Sequence, residues 1–225
     1  MRSPGTARRA AKPFELGSWS SSTIPSAERP AVGIMGGTYD PIHNGHLEAA
    51  KELRDIADLD QVWLMPNAQP PHRSRPVAGA EDRMRMVELA VDRLPGLVPS
   101  RLEIERGGIS YTIDTIRELM DRFPGQRFEM LLGSDAAAHI AGWHRAADVL
   151  AEANFVIFNR PGTSLTQAEL ARLGFAPERS RVVHLETPAI AAHEIRDRLA
   201  GGGPVDDLIP PGVAAYIREH RLYGT

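Results

Sequence analysis

Cysteine is absent from the 225 residues, which excludes disulfides and cysteine-ligated zinc or iron–sulfur centres and fits a reducing compartment. No apolar run approaches the roughly 20 residues that a membrane-spanning helix needs. A basic excess is also missing. The formal net charge of -3 argues against binding nucleic acid through bulk electrostatics. Neither GxxxxGK[ST] nor GxGxxG occurs, which disfavours a P-loop hydrolase and an ordinary dinucleotide dehydrogenase. What is present is a 42% hydrophobic chain, long enough to bury a full core. A soluble cytoplasmic protein is expected, and the sequence leaves a homo-oligomer open.

Residues 1–30 differ from the remainder. Arg2, Arg8, Arg9, Lys12 and Arg29 face only Glu15 and Glu28, amid serine, proline and glycine. The balance is that of a transit peptide, but neither an amphipathic period nor a signal-type apolar core accompanies it. The stretch is expected to be a disordered extension, with residues 31–225 as one domain.

From Val32 the chain reads as a buried strand, which breaks at Gly36-Gly37, where it can turn and expose bare backbone to a ligand. Asp40-Pro41 continues the loop, and Asn44 offers an N-cap to a helix from Gly45 to Ile56. Leu47, Ala50, Leu53, Arg54 and Ala57 take its core-facing positions. A strand, a glycine turn and a helix start suit a phosphate, and His43 and His46 stand at that entrance. As metal ligands the two histidines lack a third partner at convincing spacing.

Further strands are predicted at 61–65, 97–104, 127–132, 155–158 and 181–185. Helices are predicted at 80–94, from Ser110 to Arg122, at 136–140, 146–151, 167–172, 194–200 and 213–219. This alternation predicts an α/β, Rossmann-like, doubly wound parallel sheet with helices on both faces and a helical C-terminus. Ligands collect at the carboxyl ends of such strands, and the loops 36–46, 66–76, 133–135 and 159–162 all follow predicted strands.

The stretch Gly36-Gly37-Thr38-Tyr39-Asp40-Pro41-Ile42-His43-Asn44-Gly45-His46 resembles the signature of the nucleotidyltransferase superfamily. Pro66-Asn67 through Pro70-Pro71-His72-Arg73, then Ser110-Tyr111-Thr112, Leu132-Gly133-Ser134-Asp135, Gly142-Trp143, Asn159-Arg160-Pro161-Gly162 and Ile195-Arg196 are similar, in that order, to bacterial nicotinate-nucleotide adenylyltransferases. The resemblance spans about residues 31 to 223. It implies transfer of AMP from ATP to nicotinate mononucleotide, giving deamido-NAD and pyrophosphate by direct in-line attack, with Mg²⁺ carried on the ATP phosphates rather than by protein side chains.

The resemblance also allocates residues. His43, His46 and Arg196 would serve catalysis, and Gly36, Gly37, Thr38, Gly133, Asp135, Arg160 and His193 would join them around ATP. Thr38, His72, Tyr111, Thr112 and Trp143 would receive nicotinate mononucleotide, with the indole stacked on the pyridine ring. Taken without the resemblance, Trp143 reads equally as a core anchor and Asp135 as an N-cap. One departure stands out: the family's Ile-Ser-x-Thr-x-Ile-Arg is here Ile190-Ala191-Ala192-His193-Glu194-Ile195-Arg196. Ala191 lacks a hydroxyl for phosphate, and His193 either donates the missing hydrogen bond or caps the helix. Alternatives are another phosphate acceptor, such as NMN or phosphopantetheine, and a non-catalytic nucleotide-binding protein.

Overall fold

β1 (Ala31–Gly37) lies at the centre of the molecule, flanked by β2 (Gln61–Pro66) on one side and β4 (Arg127–Gly133) on the other, all three parallel. The computed structural model describes residues 30–71, 76–159, 162, 164–188 and 190–225. The expectation for residues 1–29 therefore lies outside the described residues. β3 (Leu97–Pro99), β5 (Phe155–Asn159) and β6 (Ser180–His184) complete a sheet of order β3-β2-β1-β4-β5-β6, with every pairing parallel. The chain winds outward from β1 to β3, returns to the centre at β4 and winds outward the other way. The carboxyl ends of β1 and β4 thus meet where the winding reverses, the place where such sheets open a crevice.

Both faces are covered, as the apolar strands require. On one face lie α1 (Asn44–Ile56), α2 (Ala80–Val91), α8 (Ala192–Ala200) and α9 (Pro211–Glu219), packed through residues such as Leu53, Val87, Ile195 and Ile217. On the other lie α3 (Leu102–Arg106), α4 (Thr112–Arg122), α5 (Ser134–Ala138), α6 (Ala146–Glu152) and α7 (Gln167–Arg172), packed through Leu102, Ile113, Val149 and Leu170. β1 serves both layers by alternation: Met35 faces the first, and Val32 and Ile34 the second.

Five local expectations need correction. The strand expected over 97–104 stops at Pro99, and α3 takes over at Leu102. Proline cannot donate to a ladder, and the apolar Leu102 buries from a helix instead. β1 runs straight through Gly36 and Gly37, neither of which has a positive φ, so the turn falls on Thr38 to Pro41. Its left-handed residue is Tyr39, at φ 51. The N-cap of α1 is His43 rather than Asn44, whose amide side chain donates instead to the Asp207 carbonyl. Arg54 is half-buried, its guanidinium spanning from the Pro95 carbonyl to Asp55. The helix predicted to open at Ser110 begins at Thr112, with Tyr111 as its cap. Among the described residues, no helix is long and apolar enough to cross a membrane.

Candidate active site

A cavity of about 950 Å³ opens at the carboxyl ends of β1 and β4. Its walls include Gly36, Gly37, Thr38, His43 and His46 from the first half of the sheet, and Gly133 and Asp135 from the second. Tyr111, Thr112 and Trp143 line it from the α4 and α6 side, and Ala191, His193 and Arg196 from α8. His72 and Arg160 lie outside the described residues. Every other residue allocated to catalysis, ATP or the mononucleotide borders this one cavity.

The glycine pair serves approach rather than turning. A Cβ built on Gly36 meets nothing within 4 Å, so the space beside its backbone is open. One on Gly37 would meet the Tyr39 ring at 3.1 Å, and one on Gly133 the Asp135 carboxylate at 2.4 Å. Bare backbone therefore faces the cavity at both central strand ends.

The imidazoles of His43 and His46 stack with centroids 3.6 Å apart and planes 23° from parallel. Spacing on the first helical turn brings them together. His43 is buried, and its backbone N–H donates to His46 Nδ1 at 3.3 Å. The Tyr39 ring meets His46 edge-on at 5.0 Å, while its hydroxyl donates to the Met35 carbonyl at 2.6 Å. The two histidines are thus oriented by packing before any ligand arrives.

Trp143 packs against the second core layer while bordering the cavity. Beside it, His144 lies on the Tyr111 ring at 4.2 Å, a contact that the sequence reading missed. His193 is exposed on the first turn of α8, whose N-cap is Ala191. His193 is therefore not the cap of that helix. Arg196, one turn further on, donates through Nη1 to the Asp40 carbonyl at 2.7 Å.

Arg83 is a second omission. It is only 1% exposed, and its guanidinium ties the cavity rim together. Nη1 donates to the Thr38 carbonyl (2.8 Å) and to Asn67 Oδ1 (3.3 Å), Nη2 to the Ala68 carbonyl (3.0 Å) and Nε to the Ala78 carbonyl (3.3 Å). Burial pulls its pKa down, while Asp40 and Tyr223 oppose the shift. The signal was present, since Arg83 shares a helical stripe with Val87 and Ala90.

Glu103 is the third. This buried carboxyl accepts from Thr115 Oγ1 at 2.5 Å and from the Ser110 hydroxyl, and Arg106 Nη2 donates to the same Thr115 oxygen at 2.9 Å. Ser110 also accepts from the Ala68 N–H at 3.0 Å. The cluster clamps the loop that presents Tyr111 and Thr112. The loop starts at Gly107 and Gly108, with φ 70 and 68, where a side chain would be strained. The stretch 97–104, read as one strand in the sequence, hid this group.

The donor set of backbone amides, two imidazoles and an arginine suits a polyanion. Among the described residues no three His, Asp or Glu side chains gather as a metal cluster. Asp40, the carboxylate that precedes the histidine pair, accepts from Val77 N–H at 2.8 Å, Ala78 N–H at 3.1 Å and the Tyr223 hydroxyl at 2.7 Å. The site fits a divalent cation that arrives already coordinated by phosphate oxygens.

A parallel sheet with a histidine turn at its central crevice is the framework of a nucleotidyl-transferring class, and the family model described as cytidylyltransferase-like matches residues 34–198. Among curated proteins, the chain is 40% identical over 199 residues to a probable nicotinate-nucleotide adenylyltransferase of Corynebacterium kroppenstedtii, covering 88% of this chain and 93% of that one. A second, of Geobacillus thermodenitrificans, is 39% identical, with 86% of each chain covered. The chain belongs to the nicotinate-nucleotide adenylyltransferase family. Its fold is similar to that of the Plasmodium falciparum nicotinic acid mononucleotide adenylyltransferase solved complexed with NaAD. That match has a TM-score of 0.73 at 19% identity and covers 86% of this chain and 97% of the other.

Proposed function

We propose that the chain transfers the AMP moiety of ATP to the phosphate of nicotinate mononucleotide, forming deamido-NAD and pyrophosphate in the cytoplasmic biosynthesis of NAD. The acceptor's phosphate oxygen forms a bond to the α-phosphorus, the bond from that phosphorus to the bridging oxygen breaks, and pyrophosphate leaves with the electron pair. No covalent enzyme intermediate is needed, because in-line transfer rests on positioning and charge neutralisation. The observation that carries this reading is the stacked pair His43 and His46 beside the open backbone of Gly36, facing a cavity whose far wall holds Tyr111 and Trp143.

In this reading, imidazole N–H groups of His43 and His46, with the Gly36 and Gly37 backbone, stabilise charge developing on the ATP phosphates. Arg196 and His193 reach the same phosphates, Arg196 by forked hydrogen bonds. Gly133 leaves room for the nucleoside, Asp135 accepts from its ribose, and Arg160 is assigned to ATP. Trp143 stacks on the pyridine ring, the Tyr111-Thr112 backbone takes its carboxylate, and Thr38 and His72 serve the mononucleotide phosphate. Mg²⁺ enters with ATP, and when bound it neutralises phosphate charge. The working unit is residues 31–225, and neither nucleic acid nor membrane takes part.

A non-catalytic reading draws on Ala191 and His193, which replace the hydroxyl residues of the family motif. Pyrophosphate release from ATP and Mg²⁺, with nicotinate mononucleotide and NMN supplied separately, decides between them. Release strongly favouring the acid is expected. Preference for NMN would overturn the acceptor, and silence from folded protein with both would overturn the activity.

A further inference from the structure

Tyr223 does not itself line the cavity, yet three residues that do are fixed through it. Its hydroxyl donates to Asp40 Oδ1 at 2.7 Å. The same carboxylate oxygen accepts from Ala78 N–H at 3.1 Å, and its partner oxygen from Val77 N–H at 2.8 Å. Asp40 is buried to 6% exposure, and its own backbone carbonyl is the acceptor for Arg196 Nη1 at 2.7 Å. Asp40, Val77 and Arg196 all line the cavity, whereas Tyr223 stands behind them.

The backbone singles out the same residue. Tyr223 lies in the turn Leu222–Gly224 with φ 59 and ψ 23, and Arg221 precedes it at φ 52. Left-handed backbone at two non-glycine residues persists only where the surroundings over-determine it. Here a buried ring, at 8% exposure, and the bond to Asp40 do so. The turn also abuts the end of α8, since a Cβ on Gly224 would sit 3.7 Å from Ala200. It therefore braces the helix that carries Arg196 twice, by packing at its C-terminal end and through Asp40 at the Arg196 side chain. Burial and Asp40 push the Tyr223 hydroxyl well above its ordinary range, so it stays a donor.

We propose that Tyr223 is a positioning residue for the polyphosphate of ATP: it holds Asp40 so that the Asp40 carbonyl sets the guanidinium of Arg196 toward the cavity. The proposal rests on the reading that Arg196 binds ATP phosphates. A ligand with the same triphosphate chemistry is held in the same way whatever the acceptor.

The test is calorimetric titration of the full chain with ATP and Mg²⁺, without acceptor. Tyr223→Phe keeps the packed ring and removes only the donor, and it should weaken ATP at least about three-fold. Tyr216→Phe is the control, because it removes a comparable hydroxyl-to-carboxylate bond, to Asp82 at 2.9 Å, away from the cavity wall. It should leave ATP affinity unchanged. In an Arg196→Ala background, Tyr223→Phe should cause no further loss. With the acceptor added, the KM for nicotinate mononucleotide should hold while that for ATP rises. Unchanged ATP affinity in Tyr223→Phe, equal loss in Tyr216→Phe, or additive losses with Arg196→Ala would each overturn the proposal. Should Tyr223→Phe fail to fold, Asp40→Asn read in the same titration carries the same expectations. A wild-type chain that binds ATP without turning over nicotinate mononucleotide sinks the acceptor but leaves this test in force. A wild-type chain that binds no ATP overturns both.

Discussion

At the scale of single residues, the histidine turn combines open space beside its backbone with constraint on the protein. Gly36 has open space where a Cβ would stand, and β1 continues through it without a left-handed residue. Alanine is therefore sterically and conformationally acceptable to the fold at this position. Its methyl would occupy the space beside the backbone into which a phosphate must come. Gly36→Ala should keep the thermal midpoint within about 2 °C of wild type and weaken ATP by roughly ten-fold or more, in unfolding scans and ATP titration respectively. Normal ATP affinity in a folded variant would remove the bare-backbone argument. His46 presents the complementary case. It is half-exposed, so truncation leaves no large void, yet its ring completes the stack on His43. His46→Ala should lower kcat by about two orders of magnitude or more, at little cost in folding. Single-turnover rates and circular dichroism would check this, and near-normal turnover would take His46 out of the mechanism.

At the scale of elements, the sequence reading succeeded where chemistry is local and failed where it is relayed. Strands β1, β2, β4 and β5 are short apolar runs bounded by turn residues, and periodicity locates such runs directly. The stretch 97–104 carries apolar residues but also Pro99, and the segment divides there into β3 and α3. That division conceals Glu103, whose value lies in partners at 110 and 115. No spacing in the chain announces such a bond. Burial holds the Glu103 carboxyl above its ordinary 4.5, against the opposing pull of Thr115, Ser110 and Arg106. The native protein thus binds this proton more tightly than the unfolded chain does. The resulting stability is complete below pH 4.5 and is lost as pH rises through the raised native pKa. Glu103→Gln has no proton to lose there. The thermal midpoint of wild type relative to Glu103→Gln should fall as pH rises above 4.5, and a gap that does not vary with pH would refute this placement of the charge.

At the scale of the whole molecule, the reversal of winding between β1 and β4 gathers the site from distant stretches of chain. The sequence motifs at 36–46, 110–112 and 133–135 were legible because each marks a strand end or a helix start, whereas 195–196 lies inside α8. Arg83, Asp40 and Tyr223 were not legible as a group. Their relation exists only once three separate elements have docked, and a buried arginine on an apolar stripe looks from the sequence like an interruption. The bond from Arg196 to Asp40 spans 156 positions and that from Tyr223 spans 183. Closing segments of such length is entropically costly, and parallel sheets, rich in distant pairings, fold slowly for that reason. The timing of assembly follows. During synthesis the histidine turn leaves the ribosome early, and the brace behind Asp40 follows only 183 positions later. Until Tyr223 docks, the turn stands without that support, so in the proposed reading nucleotide binding reports that the fold has closed.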